Sequence, residues 1–136
     1  MAVNGLHHVG IAVENLEEAI ETYRNLFGAE VEHRESLADQ GADVALLRLG
    51  GGRIELLAPH GPDTPVGRFV VGRGPGMHHV AFEVDDVSAE LARLSAAGAE
   101  LVDERPRRGI LGHEIAFVHP AATGGVLAEL VGRGGE

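Results

Sequence analysis

The feature that most constrains this chain is a repeat inside it. From Leu6 the residues read LHHVGIAVENLEEAIETYRNLFGAEV, and from Met77, 71 residues on, they read MHHVAFEVDDVSAELARLSAAGAELV. His-His-Val recurs in register, as does Val13 with Val84. A duplication of this kind means two copies of one supersecondary unit, each burying its apolar surface in the same way. Each copy opens with period-two alternation and then changes to helical spacing. In the first, Val9, Ile11 and Val13 make one face of a strand, while His8, Gly10 and Ala12 make the other. Leu16, Ala19, Ile20, Tyr23, Leu26 and Phe27 then follow the 3.6-residue stripe of a helix, with Asn15 as cap, Glu18 three residues later and Gly28 as the stop. In the second, Val80, Phe82 and Val84 form the strand face. Asp86 caps a helix bearing Val87, Leu91 and Leu94, and Gly98 ends it.

Short strand-like pieces follow each helix. They are Ala29–Arg34, Asp43–Leu49 and Arg53–Ala58 in the first half, with Gly50-Gly51-Gly52 as a hairpin turn. In the second half they are Glu100–Asp103, Glu114–Val118 and Val126–Val131. The pattern predicts an α+β fold of two tandem βαβββ modules, about residues 5–59 and 77–132, within one domain spanning 1–136. A Pro/Gly-rich linker, about 60–76, holds a helical turn around Val66–Val71. Side by side, the modules form a cupped, mixed eight-stranded sheet with helices outside.

Composition narrows the function. Hydrophobic residues make up 44%, enough for a core, which excludes general disorder. Eleven arginines and no lysine stand against 21 Asp and Glu, a net charge of −10 that disfavours nucleic-acid partners. No apolar run approaches the ~20 residues of a membrane span, and Met1 to Gly10 lack a secretory leader, so a cytoplasmic protein is expected. Without cysteine there is no disulfide, no thiolate nucleophile and no thiolate metal site.

The pleat points to the chemistry. With Val9, Ile11 and Val13 covering a helix, His8 faces the cup, and His79 does so by the same alternation. His7 and His78 face the helices and read as structural. Arg53-Ile54-Glu55-Leu56-Leu57 and Leu127-Ala128-Glu129-Leu130-Val131 each set one carboxylate in an otherwise apolar strand, where burial demands a partner. One His at a strand start, or one Glu in an apolar strand, is ordinarily structural. Four of them, repeated between halves, make His8, Glu55, His79 and Glu129 a candidate ligand set for Co²⁺, Mn²⁺, Ni²⁺, Fe²⁺ or Zn²⁺.

These residues resemble the vicinal oxygen chelate (glyoxalase-fold) superfamily, and within it the methylmalonyl-CoA epimerases. The segments LHHVGIAVENLEEAIETY, ADQGADVALLRLGGGRIELLAP, GPGMHHVAFEVDDV and FVHPAATGGVLAEL match that family in order over nearly the whole chain. The resemblance puts His8, Glu55, His79 and Glu129 at metal-ligand positions, with Co²⁺ or Mn²⁺ favoured. Glyoxalase I proteins usually carry an Asp-Pro-Asp-Gly turn where this chain has His119-Pro120 through Gly125. Some epimerases carry a Glu, proposed as a proton-transferring base, where this chain has Val44, beside Asp43 and Gln40. Ala121 replaces the lysine of many relatives' His-Pro-Lys, and Arg107–Gly112 matches its counterpart loosely.

The activity implied is interconversion of (2R)- and (2S)-methylmalonyl-CoA by proton exchange at C2 through a metal-stabilised enolate. Glu129 is the first candidate base and Glu55 the symmetric one, with Asp43 and Gln40 as weaker options. Gln40, Arg107 and Arg108 are candidate substrate contacts, the arginines for CoA phosphates. Arg68 and Arg73, also in loop-like segments, are weaker ones. The resemblance further implies a homodimer with an acyl-CoA substrate. Two other readings share the fold: a glyoxalase I-type isomerase of glutathione adducts, and a metal-free small-molecule-binding or resistance protein.

Overall fold

In the computed structural model, which describes residues 3–133, the opening alternation forms the ten-residue strand β1 (Val3–Ala12). Helix α1 (Leu16–Phe27) follows, then strands β2 (Glu30–Leu37), β3 (Ala42–Leu49) and β4 (Gly52–Pro59). After α2 (Pro65–Arg73) come β5 (Gly76–Val84), α3 (Val87–Ala96), β6 (Arg107–Arg108), β7 (Glu114–Val118) and β8 (Ala128–Gly132). The hydrogen-bonded strand order is β2-β3-β4-β1-β5-β8-β7-β6. Pairing is parallel for β1·β4 and β5·β8 and antiparallel for β2·β3, β3·β4, β6·β7 and β7·β8, so the sheet is mixed and the class is α+β. The ends of the 1–136 span lie outside the described residues.

Local chemistry sets these elements. The Asn15 side chain accepts a hydrogen bond from the Glu18 backbone N–H at 2.9 Å and starts α1. Gly28, at φ 71°, ends it in the left-handed region that favours glycine. The Asp86 side chain accepts from the Ala89 N–H at 3.0 Å and starts α3. Thr64 caps α2 through the Gly67 N–H, with Pro65 in the first turn, so the expected helical turn is a nine-residue helix.

The contacts divide the chain into two compact units, one of His8–His78 and one of Met1–His7 with His79–Glu136, each boundary falling inside a His-His pair. In the unit His8–His78, α1 packs on β3 and β4 around Ile20, Ala45, Leu47 and Leu56, joined by Ile11, Val13, Leu16 and Tyr23. Leu47 and Leu56 are fully buried, each a gain of about 1.5–3 kcal/mol in transfer free energy. In the other unit, Val84, Val87, Leu91, Ala116, Val118, Ala128 and Leu130 pack between α3 and the strands. A second cluster of Ala81, Ile115, Phe117 and Val131, with Leu127, stands on a different face of those strands.

One expectation changes. Glu100–Asp103 is no strand: Leu101 makes a single antiparallel bridge to Val118, and the second strand of that module is Arg107–Arg108. The reason is a contact between residues distant in sequence. The Asp103 carboxylate accepts the Phe117 N–H at 2.8 Å, so a side chain takes the place a ladder carbonyl would fill. His7 and His78 are the two histidines expected to face helices. His78 meets Phe69 of α2, edge to face at 4.9 Å, and His7 meets His113, whose Nδ1 lies 2.8 Å from the Gly132 carbonyl. At His7 the strand already belongs to the unit that contains His113.

Candidate functional site

Two buried His–Glu pairs are built by the same device, one in each unit. In the parallel register of β1 and β4, Gly10 lies opposite Glu55 and Ala12 opposite Leu57. Residues opposite one another share a face, so His8, Gly10 and Ala12 stand with Glu55, while Ile11 and Leu56 join the α1 core. Gly10 has no side chain, so nothing separates His8 from its diagonal neighbour. His8 Nε2 lies 3.5 Å from Glu55 Oε1.

The second unit repeats this with alanine. Ala81 lies opposite Glu129 in the parallel register of β5 and β8, and His79 is two residues before it. His79 Nε2 lies 3.0 Å from Glu129 Oε1. Each Glu also faces a hydrophobic residue of the antiparallel neighbour, Leu46 for Glu55 and Phe117 for Glu129. None of the four residues exceeds 4% exposure. A carboxylate that buried is retained only with a cation or strong donors beside it. Each pair offers an imidazole nitrogen and a carboxylate oxygen, donor types that first-row divalent cations take. Among the described residues, His8, Glu55, His79 and Glu129 form a buried group that could hold a metal ion.

The other candidates stand on several elements. Gln40, 7% exposed, sits in the turn between β2 and β3, its N–H donating to the Leu37 carbonyl at 3.2 Å. Val44, fully buried, lies opposite Leu57 and so shares the face of Glu55. Asp43 lies opposite Ala58 and points to the other face. Its carboxylate is 2.9 Å from His60 Nε2, and that hydrogen bond, followed by one from Ser36, holds its pKa below the usual carboxylate value. Arg107 lies opposite Ile115, which lies opposite Val131, and thus shares the face of Glu129; Arg108 takes the other face and is exposed. Arg68 donates to the Asp63 carbonyl at 2.6 Å, and the Arg73 guanidinium covers the Phe69 ring at 5.7 Å.

Sequence alternation missed one pair. Val31 belongs to the α1 core, so period two would send His33 and Glu35 the same way. A register shift between Val31 and His33 turns them over instead. His33 then lies opposite Leu46 and Glu35 opposite Val44, on the face of Glu55, with His33 Nε2 3.0 Å from Glu35 Oε1. A bulge of this kind leaves no mark in hydrophobic periodicity.

Comparison with known proteins gives the family. Residues 7–117 match the model of the glyoxalase/bleomycin resistance protein/dioxygenase superfamily. The chain is 39% identical over 131 residues to an ethylmalonyl-CoA/methylmalonyl-CoA epimerase of Cereibacter sphaeroides, covering 94% of this chain and 97% of that one. It superposes on the crystal structure of methylmalonyl-CoA epimerase from Mycobacterium tuberculosis with TM-score 0.93 and 43% identity, over 96% of this chain and 89% of that one. A methylmalonyl-CoA epimerase in complex with methylmalonyl-CoA and NH4+ superposes with TM-score 0.94 and 36% identity, over 99% of both chains. With a family model matched across most of its length and relatives of this similarity, the chain belongs to the glyoxalase/bleomycin resistance protein/dioxygenase superfamily.

Proposed function

We propose that this protein is a methylmalonyl-CoA epimerase that works with one divalent cation, held by His8, Glu55, His79 and Glu129. The observation that carries the reading is the donor set: one ligand atom from each of these four buried residues, all within 4.8 Å of one another. Two imidazoles and two carboxylates suit Co²⁺ or Mn²⁺, and Ni²⁺, Zn²⁺ or Fe²⁺ as well, whereas an all-oxygen set would suit Mg²⁺ or Ca²⁺. The substrate is supported by the relatives, whose names specify methylmalonyl-CoA.

When bound, the cation supplies Lewis acidity at the thioester oxygen, where negative charge develops as the C2 proton leaves. The chain's own residues move the proton. Glu129 takes it on one face of C2, and Glu55, from the other repeat, returns one on the opposite face; an epimerase needs a proton-transferring group on each side. Burial of both carboxylates keeps bulk water from the carbanionic centre. Gln40 contributes a buried amide at the β2–β3 turn as a substrate contact. Arg107 and Arg108 hold CoA phosphates through guanidinium hydrogen bonds. The same reading takes residues 1–136 as one domain of two βαβββ modules, acting as a cytoplasmic homodimer in propionate metabolism.

The test is stereochemical. Co²⁺-loaded protein added to one epimer of methylmalonyl-CoA abolishes the circular dichroism of the C2 centre and leaves the hemithioacetal of methylglyoxal and glutathione untouched. Turnover of the hemithioacetal, with the dichroism unchanged, would overturn the reading in favour of a glyoxalase-type isomerase.

A further inference from the structure

One aromatic residue stands beside both members of the His79–Glu129 pair, its ring against the imidazole and its backbone opposite the Glu, and is itself fixed from behind. Phe117, 5% exposed, lies directly opposite Glu129 in the β7·β8 ladder. Its ring meets the His79 imidazole edge to face, with centroids 5.7 Å apart and an interplanar angle of 88°. The Arg107 guanidinium lies over the same ring at 5.4 Å from its centroid. Asp103 ties these together: Oδ2 accepts the Phe117 N–H at 2.8 Å and the Arg107 Nε–H at 3.3 Å. A single carboxylate oxygen thus sets both the backbone of Phe117 and the cation above its ring.

The arrangement bears on His79. An imidazole binds a cation well only when its nitrogen lone pair is aimed at the ion, and groups outside the ligand set that fix the ring's rotation commonly govern affinity. A strand histidine can turn about two side-chain torsions, and a perpendicular ring wall restricts the second. Ile115, Ala81 and Val131 pack around Phe117 and keep that wall in place. Arg107 adds attraction to the face of the ring and, through Asp103, anchors the segment before β6.

We infer that Phe117, held by Asp103 and Arg107, positions the His79 imidazole for the cation, which makes Arg107 a positioning residue for the metal centre in addition to any contact with substrate. The inference rests on the reading of His79 as a metal ligand. It goes beyond that reading because it assigns metal affinity to three residues that donate nothing to the ion.

The experiment is a Co²⁺ titration of the metal-stripped full-length protein, followed by visible absorption with no substrate present. Phe117→Leu raises the Co²⁺ Kd about 10-fold and moves the absorption band, at the lower end of what such outer partners command. Arg107→Met, which keeps the alkyl stem, and Asp103→Asn each raise it about two- to fivefold, the size of a cation–π contact. Phe117→Tyr restores wild-type affinity, and Arg105→Met, on an exposed arginine outside these contacts, leaves it unchanged. A Kd within twofold of wild type in folded Phe117→Leu and Arg107→Met would overturn the inference. Should Phe117→Leu unfold, Arg107→Met and Asp103→Asn carry the same decision. If Arg107 served CoA alone, Arg107→Met would raise KM and leave Co²⁺ binding untouched. His79→Ala separates the two levels: if it binds Co²⁺ like wild type, the ligand reading fails; if it does not while Phe117→Leu does, only the positioning role fails.

Discussion

His79 Nε2 lies 3.0 Å from Glu129 Oε1, and both side chains are more than nine-tenths buried. A histidine and a carboxylate held this closely away from water are either a structural ion pair or half of a cation site. The first repeat holds the matching pair of His8 and Glu55, across Gly10 where the second has Ala81. Duplication accounts for the recurrence of either kind of pair.

Loss of one imidazole separates these cases. His79→Ala weakens Co²⁺ binding by at least about 100-fold, more than the 10–100-fold that groups outside the ligand set command. Metal content after dialysis against a defined Co²⁺ buffer measures it. Wild-type content in that variant would leave His79 a structural partner of Glu129.

Glu129→Gln keeps an oxygen at the same place and removes the base. Turnover falls by about 10²–10⁴-fold, the range of general base catalysis, while the fold is retained. Steady-state epimerisation rates, with thermal unfolding as the control, report it. A near-wild-type rate would remove Glu129 from proton transfer and leave Glu55 as the first candidate.

Asp43 serves stability and not catalysis. It stands on the face of β3 opposite to that of Glu55, and His60 and then Ser36 hold its carboxyl below the usual pKa. A group with a depressed folded pKa stabilises above its unfolded pKa, and that contribution is lost as pH falls through the folded one. Wild type therefore melts above Asp43→Asn at pH 7, by a small margin given the exposure of the pair, and the two converge as pH falls below the ordinary carboxylate range. Epimerisation is unchanged in the variant. Melting curves from pH 7 to 2 and one rate measurement test both parts.

Two glycines with left-handed backbones differ in what surrounds them. At Gly41, φ 66°, an added Cβ would stand 2.5 Å from the Thr64 Cβ, whereas at Gly50, φ 57°, nothing lies within 4 Å. Gly41→Ala costs about 2–4 kcal/mol from backbone strain plus overpacking, and Gly50→Ala about 1–2 kcal/mol from strain alone. Urea unfolding of the two variants gives the comparison, and equal losses would contradict it.

Much of this architecture was legible because duplication writes each element twice. The switch from period two to 3.6 marked β1 with α1 and β5 with α3, and the caps at Asn15 and Asp86 lie where the spacing put them. The faces of Glu55 and Glu129 followed from alternation, because the β1·β4 and β5·β8 ladders keep their register across them. Where the chain breaks its own period, alternation failed. The bulge after Val31 turned His33 and Glu35 to the other side, and the Asp103 side chain displaced a strand to Arg107–Arg108. Both events depend on contacts with residues distant in sequence, which periodicity does not encode. The tie from Asp103 through Phe117 to His79 is of the same kind.

The most direct test of the account is deuterium uptake at C2 of methylmalonyl-CoA in heavy water, with metal-stripped and Co²⁺-reconstituted protein side by side. The account predicts rapid exchange with the reconstituted protein and only background exchange with the stripped one. Exchange that is equally fast without metal would contradict a metal-dependent mechanism, and no exchange with Co²⁺ bound would contradict proton abstraction from this substrate.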